Sequence, residues 1–283
     1  MLTIKRNMAN HENTKLGNKF PIIWFIIIWF AMSCQASAIL TKKRQLLFFF
    51  DKIDVKGSVS VFVEPRARNE EAFIYADAEI IDEVSLYVRD RTLFIEANNT
   101  FDISRRLPFL KINAARTFPV EIIIGSENLS EMTLSGNANL SVNNITSKRL
   151  SVSSLGAGSF YLESSSIGSL QVNQFGSGSV ILKGKNIFDL DLKIKGPGRV
   201  LAQELFAERI KVQHDGNSNI QLHPLVFLDA RLTTGGNILL HNRPKNLVVN
   251  QNANGKVVDI LPEAEKFYDL NASLPTLSNV KKN

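Results

Sequence analysis

The sequence predicts an all-β, single-domain β-solenoid with coils of about 20 residues, and three observations predict it. First, Gly136, Gly156, Gly176, Gly196 and Gly216 recur at intervals of 20 residues, each followed two positions later by a small residue: Ala138, Gly158, Gly178, Gly198 or Ser218. Second, apolar residues fill four columns between them. Leu140, Phe160, Val180, Val200 and Ile220 lie four positions after each first glycine, and Val142, Leu162, Leu182, Ala202 and Leu222 lie six after. Leu150, Leu170, Leu190, Ile210 and Ala230 lie fourteen after, and Val152, Val172, Leu192, Val212 and Leu232 lie sixteen after. Third, the spacing of two within each pair is the strand period, and no window carries a helical stripe. A unit of two short strands and two bends cannot bury its own apolar face. Units must stack, so that each column becomes an internal ladder. The glycines are expected where the chain needs a positive φ or a tight bend, and right-handed coiling is favoured.

From the N-terminus, residues 1–38 read as a signal peptide. Lys5, Arg6, Lys15 and Lys19 precede an apolar run, Ile22 to Met32, which is followed by Ser33, Cys34, Ala36, Ser37 and Ala38. That is the basic, apolar, small order of a secretory signal, and the run is short for a membrane span. Two processing patterns overlap. Ala36-Ser37-Ala38 fits cleavage before Ile39, while Ala31-Met32-Ser33-Cys34 resembles a lipobox with Cys34 as the lipidated residue. The first is favoured, because the second lacks its usual Leu at Ala31 and carries a bulky Met32.

Residues 46–124 read as strand-rich but less regular. Ile53, Val55, Val59, Val61 and Val63 alternate around Gly57, and further strands fall at Phe73–Ala76, Val84–Val88, Thr92–Ala97 and Val120–Ile124. Asp90-Arg91 reads as a turn, and residues 98–116 as a loop with a weak strand at Leu110–Ile112. These strands are expected to supply the first coils and the cap, since open strand edges must be covered. After Leu232 a shorter unit brings Gly236 to the second-glycine position after 18 residues, and Pro244 is expected to stop the pattern. The solenoid domain is therefore placed at 46–246, with a C-terminal strand or cap and a mobile tail over 247–283.

Several landmarks along this stretch occur in the order of a known family. Phe50-Asp51-Lys52-Ile53-Asp54-Val55-Lys56-Gly57 with Val59-Ser60-Val61 resembles the opening of the putative auto-transporter adhesin head GIN domain family. Leu93-Phe94-Ile95-Glu96-Ala97, the glycine units at 136–218 and the closing stretch from Gly236 to Pro244 are similar to its later elements. Asn242 stands where that family usually has glycine, and asparagine tolerates the left-handed region. The resemblance spans roughly residues 46–246. It implies an exported bacterial β-solenoid with an adhesin-like role, and it brings no catalytic residues.

Composition bounds the function. An apolar content of 44% excludes wholesale disorder, and a single cysteine excludes an internal disulfide framework or a cysteine-based zinc cluster. The net charge is +6; four of the 33 basic and one of the 27 acidic residues lie within residues 1–38, which leaves +3 for 39–283. That excess is too small for a nucleic-acid footprint. His11, His214, His223 and His241 have no zinc-ligand spacing and read as surface residues beyond the signal. No catalytic, cofactor or metal residues emerge, and no cofactor is implied. The strongest candidates for a polysaccharide-acting enzyme are Asp189 and Asp191 with Lys211, in the outward column Ser151, Gln171, Asp191, Lys211, Arg231. They read more simply as a cross-strand ion pair on a solvated face.

The outward column five positions after each first glycine holds Ser141, Tyr161, Ile181, Leu201 and Gln221, with Leu239 at the corresponding place in the last coil. Tyr161, Ile181, Leu201 and Leu239 form a candidate binding stripe, because contiguous exposed apolar surface marks contact sites. The alternative is that the chain's own segment Leu247 to Ile260 packs over it. The function expected is a non-enzymatic binding or assembly module, exported to the periplasm, outer membrane or cell surface of a bacterium. Its partner is an envelope or host-surface component or a second copy. Membrane attachment is expected only through a lipidated Cys34 or a retained signal. A polysaccharide-acting β-helix enzyme and a purely structural envelope protein are the alternatives. Cleavage after Ala38 predicts that the intact mass of the mature protein begins at Ile39; a mass carrying lipid on Cys34 would overturn it.

Overall fold

In-register stacking of the glycine-marked units builds the molecule. The computed structural model describes residues 40–97, 99–102, 115–126 and 128–260. The signal segment, the weak strand at 110–112 and the tail beyond 260 lie outside the described residues. In the first half the strands are β1 (Leu40–Leu46), β2 (Lys52–Gly57), β3 (Ser60–Asn69), β4 (Glu71–Asp77), β5 (Val84–Arg89), β6 (Thr92–Ala97), β7 (Thr100–Asp102), β8 (Ala115–Thr117), β9 (Val120–Gly125) and β10 (Glu131–Gly136). The repeat supplies β11 (Asn139–Ser154), β12 (Phe160–Gln174), β13 (Ser179–Ile194), β14 (Arg199–His214) and β15 (Ile220–Leu232), followed by β16 (Ile238–Leu240), β17 (Asn246–Gln251) and β18 (Val257–Asp259).

The chain is a β-solenoid of stacked parallel coils. Through the repeat, β11 to β15 pair as parallel neighbours at offsets near 20, so Leu140, Phe160 and Val180 stack in line, as do Val152, Val172 and Leu192. Every residue of the four predicted columns is buried. The last row is corrected: Ile210 faces Leu228 and Val212 faces Ala230, because the coil loses two residues between Ala202 and Arg209 relative to its neighbour. The second bend also differs from expectation. The chain does not leave the ladder there but turns through register shifts, with Asn144 (φ 55°) and Asn186 (φ 62°) in the left-handed region. Two further inward columns lie at this bend: Ile167, Ile187 and Ala207 stack in one behind Ser147, and the other runs Ile145, Ser164, Gly184 and Leu205; the five apolar residues are all buried.

The glycine corners are tight bends, as expected, but most of them do not use a positive φ. Of the five first-position glycines only Gly136 has a positive φ, 72°. The others lie in the bend itself, where the backbones of successive coils leave no room for a side chain. A Cβ on Gly176 would lie 1.8 Å from the carbonyl oxygen of Gly156, and one on Gly178 would lie 1.7 Å from that of Gly158. Side chains from the neighbouring inward column fill the space left vacant. Gln174 donates through Nε2 to the carbonyls of Gly176 and Gly178 at 3.2 and 2.8 Å. His214 Nε2 donates to the Ser218 carbonyl at 2.8 Å. Both side chains are fully buried, so His214 is a core residue, contrary to its reading as a surface histidine.

The N-terminal coils do not stack in chain order. β2 lies between β6 and β10, and β3 lies between β9 and β11. The coil of residues 52–64 is thus sandwiched between a later coil and the start of the repeat. Antiparallel strands close this end: β4 on β9, β1 on β4, and β5 on β6 through the Asp90-Arg91 turn. The edge strand β1 is blunted by charge, with Lys43 paired to Asp82 and Arg44 to Glu71. At the other end the stack runs past Pro244. β17 pairs with β15 and β18 with β16, and Gly255 takes the corner above Gly236.

Two outcomes are expected. Gly176→Ala forces coils apart and costs about 3 kcal/mol by denaturant unfolding, whereas Ser177→Ala, on the exposed side of the same corner, changes stability by less than about 0.5 kcal/mol. His214 is held below its ordinary pKa of 6.5, chiefly by burial and against the opposing Ser218 hydrogen bond and Asp215. Its Nδ1 is buried without a partner, as a neutral ring allows. The unfolded chain therefore takes up a proton that the fold resists. Stability is full above the ordinary value and falls as pH drops below about 6.5. His214→Gln, which copies Gln174, is expected to flatten that decline in unfolding midpoints measured from about pH 7.5 down to about pH 5.

Candidate binding face

Alternation places one residue of each coil outward between the two inward columns of the first straight run. The ladder registers Ser141 with Tyr161, Tyr161 with Ile181, Ile181 with Leu201, Leu201 with Gln221 and Gln221 with Leu239. The structure therefore brings Tyr161, Ile181, Leu201 and Leu239 into one column, each half-buried by its ladder neighbours.

The column is longer than the repeat indicates. Ser141 pairs with Phe62, Phe62 with Ile123 and Ile123 with Phe73, while Leu239 pairs with Val258. From Phe73 to Val258 it crosses ten strands, or roughly 43 Å at the usual strand spacing. Only Ser141 and Gln221 interrupt its apolar character. One signal for Phe62 was present, since Val61 and Val63 point inward and leave Phe62 outward. Ile123 and Phe73 carried none, because their place depends on non-sequential stacking. Segment 247–260 does not cover the stripe as the alternative supposed; it adds a coil and lengthens the column by Val258.

Polar ladders border the stripe. On one side Asn139 Oδ1 accepts from the Ser159 amide at 2.9 Å, and Asn219 Oδ1 accepts from the Asn237 amide at 3.2 Å. On the other, Tyr161 donates its hydroxyl to Glu163 at 2.9 Å, and Lys183 pairs with Glu204 at 3.0 Å. Burial and then the bond to Glu163 push the Tyr161 hydroxyl above its ordinary pKa. The bond to Glu204 likewise raises Lys183, against some desolvation. Both groups stay protonated at neutral pH, as donors beside an apolar strip.

The carboxylates of the opposite outward face are arranged for pairing. Asp189 accepts two bonds from Arg209, at 2.8 and 3.0 Å, and the Arg209 guanidinium lies 4.4 Å from the centre of the Phe188 ring. Asp191 is in register with Lys211, whose next neighbour is Asp229 rather than the expected Arg231. Among the described residues no group of three or more His, Cys, Asp or Glu could hold a metal ion.

Comparison with known proteins gives a consistent picture. The model of the family described as putative auto-transporter adhesin, head GIN domain matches residues 49–244. No curated protein matches. Among solved structures, one of a putative adhesin from Bacteroides fragilis is 22% identical, with a TM-score of 0.67 over 79% of this chain and 98% of that one. A putative lipid binding protein from Parabacteroides distasonis is 16% identical, with a TM-score of 0.57 over 77% and 96%. A putative adhesin from Parabacteroides merdae is 20% identical, with a TM-score of 0.51 over the same shares. At these identities the likeness is one of fold.

Proposed function

The chain belongs to the putative auto-transporter adhesin head GIN domain family, and we propose that it is an exported, non-enzymatic solenoid that binds or assembles through its apolar stripe. The observation that carries this reading is the continuity of that stripe, from Phe73 through Tyr161, Ile181 and Leu201 to Leu239 and Val258. Half-buried apolar side chains in a straight file, bordered by hydrogen-bonded polar ladders, suit an extended partner surface or a second solenoid laid alongside. A surface location at the bacterial envelope is supported by the adhesin family and by the signal-like residues 1–38. The non-enzymatic reading is supported by the pairing of Asp189 with Arg209 and of Glu204 with Lys183, and by family and fold relatives named as adhesins or as lipid binding.

Ile181→Lys combined with Leu201→Lys puts two cations into the centre of the stripe without touching an inward position. The double variant is expected to keep the wild-type circular dichroism and lose about 1 kcal/mol of stability or less. Self-association measured by light scattering, or retention on isolated envelope and on matrix-coated surfaces, should fall to background. Wild-type behaviour in all of these assays would refute the stripe as the contact face.

A further inference from the structure

Around the bend from the stripe, the coils of β13, β14 and β15 fall out of step. Register shifts separate Gly184 from Ile187, Ala202 from Phe206 and Ala207 from Arg209. At this mismatch lies an open surface hollow of about 350 Å³ lined by Lys185, Asn186, Ile187, Phe206, Glu208 and Leu225. Irregularities of this kind re-aim side chains and gather at functional sites.

The lining combines a fixed ring with unspent polar groups. Phe206 meets the His223 ring at a centroid distance of 4.4 Å and an interplanar angle of 66°. His223 is itself held by a bond of 3.2 Å from Nδ1 to the Gln203 carbonyl. Ile187 is buried and Leu225 is 38% exposed, so the apolar part has a floor and a wall. The side chains of Lys185, Asn186 and Glu208 are exposed and take no hydrogen bond or ion pair among the described residues. Charges close by in sequence are spent, Lys183 on Glu204 and Arg209 on Asp189.

This chemistry selects its ligand. A wholly apolar guest would desolvate Lys185 and Glu208 without compensation. An anion would meet Glu208, and a cation would meet Lys185. We propose that the hollow is a subsite for a neutral sugar ring. The C–H face of the sugar lies on Phe206 and Leu225, and its hydroxyls donate to Glu208 and accept from Lys185 and the Asn186 amide. The volume, at the small end of ligand sites, suits one or two rings. The site is separate from the stripe and stands whether or not the stripe binds a partner.

Saturation-transfer NMR on the purified protein tests this with methyl glucoside, methyl galactoside, methyl mannoside and N-acetylglucosamine, against glucuronate and glycerophosphoethanolamine. At least one neutral sugar is expected to show transfer to its ring C–H protons. Phe206→Ala should weaken that sugar roughly tenfold or more, while Phe206→Trp retains it. Asn186→Gly with Glu208→Ala keeps the backbone geometry at Asn186 and removes two polar partners. It should give a comparable loss, and it carries the comparison if Phe206→Ala does not fold. The proposal is overturned if no neutral sugar shows transfer, if transfer survives both variants, or if only glucuronate or glycerophosphoethanolamine binds.

Discussion

The constraint on which the rest depends is the distance between backbones at the glycine corner. A parallel ladder keeps coils about 4.8 Å apart everywhere, but along a straight run each inward side chain has space above and below its neighbours. At the corner that space vanishes, and a single methyl on Gly176 would overlap the Gly156 carbonyl. Ser218 shows what the column tolerates: its hydroxyl turns to donate to the Gly198 carbonyl at 2.6 Å. Gln174 and His214 reach into the same corner from the side and bond its carbonyls, so the space that the glycines leave is filled by buried side chains.

Because this constraint acts on residue type at a fixed interval, it was legible in the sequence, along with everything tied to it. The four apolar columns and the outward position between two of them follow from counting from the glycines. What escaped was decided away from the corner. At the second bend Ile167, Ile187 and Ala207 keep one interval of eleven, but Ser147 holds that place in the preceding coil, and the neighbouring column runs Ile145, Ser164, Gly184, Leu205, so neither shows a continuous apolar pattern. The bend also let one coil drop two residues there, moving Leu228 into the place assigned to Ala230. The burial of His214 is not legible in the sequence, because a polar side chain reads as surface unless its hydrogen-bond partner is known, and that partner is the Ser218 carbonyl rather than another side chain.

The candidate face was legible in proportion to its share of the repeat. Tyr161, Ile181, Leu201 and Leu239 could be aligned by interval alone. Phe62, Ile123 and Phe73 join the same file only because β9 and β4 stack beyond β3, a choice set by long-range pairing that local pattern does not encode. The hollow beside Phe206 was invisible for a related reason, since it exists where the interval fails.

The interleaved N-terminal coil has a mechanical consequence. A simple solenoid pulled from either end comes apart one coil at a time, because each step breaks a single ladder. Here tension applied through the N-terminus first peels β1 from β4 and then reaches β2 and β3, which are held on both sides. Extracting that coil requires two ladders to shear together, whereas tension at β17 and β18 meets only one. The molecule is a stack with one fastened end, so the two ends of the same ladder resist force unequally.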